Sequence, residues 1–184
     1  LPINKFDKKL DRVITEKKIW MKILFLGDVV GQAGCGAIKK NLQKIIKEEN
    51  IDFTIVNGEN AADEGIGITQ NILDEFVACG VDVVTSGNHI WDQKETYEFI
   101  KNQTRLLRPL NMDINLPGQG FVTFNSKTGL KIGVLNLMGN VFMKKCDDIF
   151  NSLKKFLENK SLKIDYDCLV VDVHGEITSE KMAV

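Results

Sequence analysis

The sequence has 184 residues, 43% hydrophobic and 27% charged, enough chain for one domain with a real core. Lys plus Arg number 24 against 25 Asp plus Glu, a net charge of −1, so no global basic field argues for wrapping nucleic acid. No apolar run approaches the roughly 20 residues of a membrane helix, and residues 1–20 are too charged for the apolar centre of a signal peptide.

In residues 1–20, Phe6, Leu10, Val13 and Ile14 have helical spacing with Lys and Arg between them, which predicts a short amphipathic helix. Met21 opens a sharply different segment. Residues 1–20 therefore read as an extension that need not be native, ahead of a domain over 21–184. Lys22–Leu26 is a strand of the buried type, followed by the loop Gly27-Asp28-Val29-Val30-Gly31. Ala37, Ile38, Leu42, Ile45 and Ile46 restore helical spacing. Phe53–Val56 is the second strand and ends in Asn57-Gly58-Glu59-Asn60. A glycine-rich loop leads to a helix with Ile72, Leu73, Phe76 and Val77 inward, which Gly80 is placed to end. The third strand, Val81–Val84, runs into Thr85-Ser86-Gly87-Asn88-His89-Ile90-Trp91-Asp92. Asp92 and Glu95 have the spacing of a capping box for a short helix carrying Tyr97 and Phe99.

This β-α-β-α-β-α order implies a parallel sheet with right-handed crossovers. The pattern then changes. Phe121–Phe124 and Lys131–Leu137 read as a hairpin about Asn125–Gly129, Asp147–Lys160 as an amphipathic helix, and Cys168–Val173 as another buried strand ending in His174-Gly175-Glu176. The four cysteines, Cys35, Cys79, Cys146 and Cys168, are widely spaced with no Cys-x-x-Cys, which fits reduced thiols in a cytoplasmic protein and argues against a thiolate zinc site.

Four strands end in candidate metal ligands: Asp28, Glu59 with Asn60, Asn88 with His89, and His174. Each has a plainer structural reading, as a helix cap, a solvated charge, a turn or a strand-end histidine. Together they are harder to dismiss, because parallel strand ends lie on one edge and a doubly wound sheet gathers them in one crevice. Crowded carboxylates repel, and divalent cations resolve that repulsion. Mixed oxygen and imidazole donors without sulfur favour manganese, iron or zinc. Two ions roughly 3.5–4 Å apart can hold a hydroxide and clamp both oxygens of a phosphate-ester displacement. His89, next to Asn88, is placed to supply the proton. Gly31–Ile38 nearly spells a phosphate-binding P-loop, but the Lys and Ser/Thr after its last glycine are missing. Its glycines read as close-approach turn residues.

Gly27-Asp28-Val29-Val30-Gly31, Asn57-Gly58-Glu59-Asn60-Ala61-Ala62, Gly87–Asp92, Arg108-Pro109-Leu110-Asn111, Asn136-Leu137-Met138-Gly139 and Asp172–Glu176 together resemble the bacterial YmdB-type metallophosphoesterases. These are a branch of the calcineurin-like superfamily, and the resemblance runs over roughly Met21–Val184. It implies an α/β fold, a four-layer α/β/β/α sandwich incomplete at the C-terminus. It also implies hydrolysis of phosphodiesters, with 2′,3′-cyclic nucleotides as substrates, by a metal-bridged hydroxide at a dinuclear, iron-containing site. By that resemblance Asp28, Glu59 and Asn60 hold the first metal, and Glu59, Asn88 and His174 the second, with His89 as proton donor. RNA ends and a second copy of the chain stand as further partners.

The sequence departs from the wider superfamily, where Asp-x-His stands in place of Gly-Asp-Val-Val-Gly. The family pattern also continues into a Gly-Thr-His-x-His segment, with one further ligand for each metal, that is not found here. The site is then expected to be incomplete, and the fragment to expose apolar surface and be poorly stable or inactive. Two other readings stay open: a phosphomonoesterase such as a nucleotidase, and a non-catalytic phosphate- or RNA-binding module.

Overall fold

Val13–Ile14 and residues 20–184 are described by the computed structural model, a mixed α/β structure with two three-stranded sheets. Strand β1 (Val13–Ile14) pairs antiparallel with β2 (Trp20–Met21). The helix expected through Phe6–Ile14 is therefore not formed at Val13–Ile14, while Phe6 and Leu10 lie outside the described residues.

The first sheet contains β3 (Ile23–Leu26), β4 (Phe53–Asn57) and β5 (Val83–Thr85), all parallel and in chain order. Helices α1 (Gly31–Glu48) and α2 (Gln70–Ala78) make the crossovers. Thr69 caps α2 by accepting from the Ile72 amide at 3.3 Å, and Gly80, at φ +102°, closes its far end. Gly31, Gly34 and Gly36 lie within the first turns of α1, not in a turn ahead of it. Gly31 takes a left-handed φ of +54° that lets the chain enter the helix directly from the β3 loop. Of the three, Gly34 alone is a tight approach, where a Cβ would sit 2.8 Å from the Val29 side chain.

Helix α3 (Thr96–Phe99) forms without the expected capping box. The Glu95 carboxylate instead accepts from the Gln70 amide at 2.9 Å, and Asp92 is taken by His89 and Lys144. Donors from distant segments outcompete the local pattern.

The second sheet is a hairpin of β6 (Phe121–Asn125) and β7 (Lys131–Met138), joined in parallel by β8 (Cys168–His174) after α4 (Ile149–Asn159). Asp148 caps α4, accepting from the Asn151 amide at 2.8 Å. A last helix, α5, covers Thr178–Ala183.

Strand alternation sorts the core into three clusters. Val56 packs with Leu42 and Phe76 of α1 and α2, on one face of the first sheet. Phe53 and Ile55 face Ile132 and Val134 across the space between the sheets. Leu135 and Leu137 pack with Phe156 of α4 on the outer face of the second sheet. Helices thus cover one side of each sheet, and the other sides meet.

Two strands read as buried are only half-buried. β3 and β8 are terminal in their sheets, and Phe25 of β3 is 41% exposed. Among the described residues no helix is long and apolar enough to cross a membrane, and all four cysteines are free.

Candidate metal and catalytic site

The strands of the first sheet run in chain order, so no reversal of strand order makes a crevice within it. The site forms instead where the ends of β3, β4 and β5 meet the end of β8 from the other sheet. Main-chain bonds lace the three loops together. The Val29 amide donates to the Asn57 carbonyl at 3.0 Å, Gly31 to Asn60 at 2.8 Å, and Gly58 to Thr85 at 3.0 Å.

All five candidate ligands are brought into contact. The Asn60 amide nitrogen donates to both Asp28 oxygens at 3.0 Å and lies 3.3 Å from Glu59 Oε1. It sits between two carboxylates and relieves their repulsion as a cation would. His174 Nε2 lies 3.1 Å from Glu59 Oε1 and 3.0 Å from Asn88 Oδ1. Gly87 makes this meeting possible: a Cβ there would collide with Glu59 Oε2 and the His174 ring.

Burial sets the electrostatics. Glu59 is 2% exposed, and loss of solvent pushes its carboxyl up to about 7, against the opposing charge of His89 and with the help of Asp28. Burial also lowers the His174 pKa, opposed by Asp172 and Asp28. A neutral imidazole is the form that ligates a metal.

His89 is held by Asp92, with Nδ1 to Oδ2 at 2.5 Å, which leaves Nε2 outside that bond. Lys144, from the loop after β7, donates to the Asn88 carbonyl at 2.7 Å and to Asp92 at 2.9 Å. Burial acts to raise the Asp92 pKa, but these bonds outweigh it and leave the carboxyl below its ordinary value.

The residue-by-residue reading missed the supports behind the ligands. Asn57 donates to Asp172 at 3.1 Å across the two sheets and accepts from the Glu59 amide at 3.2 Å, so it fixes the Glu59 backbone to β8. Burial raises the Asp172 pKa, while bonds from Thr85 and Asn57 favour its charged form. A lone Asp in an otherwise apolar strand was the available signal.

Among the described residues, no three His, Cys, Asp or Glu side chains cluster as a metal site. The candidate ligands meet in pairs, and two are asparagines. Even so, the donor set fits a cation. Buried polar side-chain atoms without a partner are, among the described residues, Glu59 Oε2, Asn60 Oδ1, Trp91 Nε1 and Asn136 Nδ2. The first two are acceptors on adjacent candidate ligands, and leaving buried acceptors unpaired is costly. Turning the Asn60 amide over would bring its oxygen to the place its nitrogen now holds between Asp28 and Glu59.

The family model described as YmdB-like protein matches residues 24–184. A Bacillus subtilis relative named 2′,3′-cyclic-nucleotide 2′-phosphodiesterase is 39% identical over 163 residues, covering 89% of this chain and 60% of its own length. A solved structure described as a novel phosphatase from Mycoplasma pneumoniae superposes with a TM-score of 0.79 at 37% identity, covering 89% of this chain and 58% of that one. A Thermus thermophilus structure, described as a hypothetical protein, gives 0.78 at 38% identity, covering 88% and 60%. The chain thus spans about three-fifths of the length of these relatives.

Proposed function

The chain belongs to the YmdB-like family, and on that premise we propose that it carries the metal-dependent phosphodiesterase site of a protein acting on 2′,3′-cyclic nucleotides. The observation that carries this reading is the contact chain from Asp28 through Asn60, Glu59 and His174 to Asn88, with unpartnered acceptors at its centre. The architecture in this reading is a calcineurin-like four-layer sandwich, and the three stacked cores support it. Free thiols are in keeping with a cytoplasmic setting.

In this reading two ions, iron or manganese with zinc as an alternative, are held by Asp28, Glu59 and Asn60 on one side and Glu59, Asn88 and His174 on the other. Bound there, such ions would supply Lewis acidity for a phosphoryl group and lower the pKa of a bound water. The protein does the rest. Glu59, with its carboxyl near 7, is charged only once its proton is displaced. His89 presents Nε2 to the ribose oxygen released as the cyclic ester opens and gives it a proton, while Asp92 fixes the ring from behind. Asn57 and Asp172 hold the Glu59 backbone in register with β8.

Hydrolysis of 2′,3′-cyclic AMP with manganese or iron, and with a chelator, tests the reading on this chain beside a version extended to the length of its relatives. His89→Ala is expected to keep its metal and lose about 10²–10⁴-fold in turnover. Wild-type turnover in that variant removes His89 from its role, and absence of chelator-sensitive hydrolysis in both chains overturns the proposal. A phosphomonoesterase is the second reading, favoured by the description of the Mycoplasma pneumoniae structure as a phosphatase. Faster release of phosphate from monoesters than opening of cyclic diesters would establish it.

A further inference from the structure

The loop between β7 and α4, residues 139–148, has a fixed base and an exposed tip. At the base, Glu180 of α5 accepts from the Asn140 amide at 2.7 Å and the Val141 amide at 3.4 Å. Asn140 donates to the Cys146 and Asp147 carbonyls at 3.2 and 3.1 Å. At the tip, Lys144 reaches across to the Asn88 carbonyl and Asp92. Between these moorings stands Phe142, 86% exposed and at φ +62°.

A single exposed apolar side chain is ordinary; Ile114 and Ile164 are comparable. Phe142 differs in three respects. Among the described residues it is the most exposed aromatic and the only aromatic with positive φ. That conformation is strained for a bulky residue and persists only where the surroundings impose it. The loop is tied to Asn88 by Lys144, which is two residues along the chain from Phe142 and so within about 7 Å of it along the backbone. An exposed aromatic ring on a loop tethered to a candidate phosphate site is a suitable stacking platform, because every base offers a π-face.

We propose that Phe142 is the base-recognition residue of this site, stacking on the nucleobase of a nucleotide whose phosphate lies among Asp28, Glu59, Asn88 and His174. The inference rests on the function proposed above. It makes the substrate a nucleoside phosphate, not any phosphodiester.

The test compares wild type with Phe142→Ala, Phe142→Trp and Phe142→Leu, using base-bearing and base-free probes. Binding of adenosine 3′-monophosphate and of ribose 3-phosphate is measured by calorimetry. Hydrolysis is measured on 2′,3′-cyclic AMP and on methyl riboside 2,3-cyclic phosphate. In Phe142→Ala the preference for the base-bearing member of each pair is expected to fall about tenfold, with Trp preserving it and Leu not. Equal weakening of both members, or full rescue by Leu, overturns the stacking role. If wild type opens neither cyclic ester, the phosphodiesterase reading fails, and the binding ratio still decides whether Phe142 recognises a base.

Discussion

The loop that leaves β4 carries Glu59 and Asn60 into a buried corner and is fastened by main-chain bonds to its neighbours. The loop that leaves β7 stays at the rim; main-chain bonds to His174 and Asn111 fasten its ends, and between them it is held by side chains, Glu180 of α5 on one flank and its own Lys144 on the other. The first arrangement gives geometry that tolerates little change, because each ligand's backbone is part of a hydrogen-bonded lattice. The second gives a surface that is held in place yet open to substitution. Rigid ligand placement beside an adjustable rim lets one chemistry serve more than one substrate, since specificity then varies without disturbing the ligands.

Gly87→Ala should break the buried half of this comparison most severely. Its Cβ would collide with the buried Glu59 carboxylate and the His174 ring. Overpacking at such a point costs about 3 kcal/mol. Urea unfolding should show that loss, and metal binding should fall with it; an unchanged midpoint would mean that the two side chains separate freely.

A somewhat smaller effect is expected from pH. Glu59 in the metal-free fold keeps its proton to about pH 7, above its ordinary 4.5. The stability this confers is whole below pH 4.5 and is lost as pH rises through 7. The loss is on the order of 2–3 kcal/mol. His174, lowered by burial, acts in the opposite sense, costing stability as pH falls below its ordinary value of 6.5. Glu59→Gln should flatten the neutral limb of the stability profile. A profile unchanged by that substitution would assign the titration to another group.

Lys144→Ala sharpens the contrast from the rim side. Lys144 is half-exposed, and its pair with Asp92 is a screened one. Thermal unfolding should therefore move by no more than about 0.5 kcal/mol, while the loop tip loses its tie to Asn88. A loss as large as that for Gly87→Ala would show that the rim loop is as integral to the fold as the buried one.

The same contrast governs what could be read before folding. Asp28, Glu59, Asn60, Asn88 and His174 each lie within a few residues of the end of an apolar run, so strand-end logic picked them as candidates, and the structure brings these five into contact. The mixed α/β class was legible for the same reason, since helix and strand periods alternate cleanly from Ile23 to Thr85. The supports were hidden because their partners are remote: Asn57 meets Asp172 across 115 residues, Lys144 meets Asn88 across 56, and Glu180 meets Asn140 across 40. Asp92 misled because Asp-x-x-Glu satisfies a local capping pattern that a stronger bond to His89 overrides. The glycines of 31–36 misled because helix propensity disfavours them, whereas Gly34 is needed for contact with Val29.

The register of the strands has a bearing on how the protein comes into being. Ile23 must find Phe53, Ile55 must find Val83, and Met138 must find His174, each closing a long loop of chain, while Phe124 meets Ile132 almost at once. Local pairings close before remote ones because less chain entropy opposes them. The β6–β7 hairpin is thus the natural starting point. The four strand ends that form the site come together only when the slowest pairings are complete, so a chain that has assembled its site has already assembled nearly everything else.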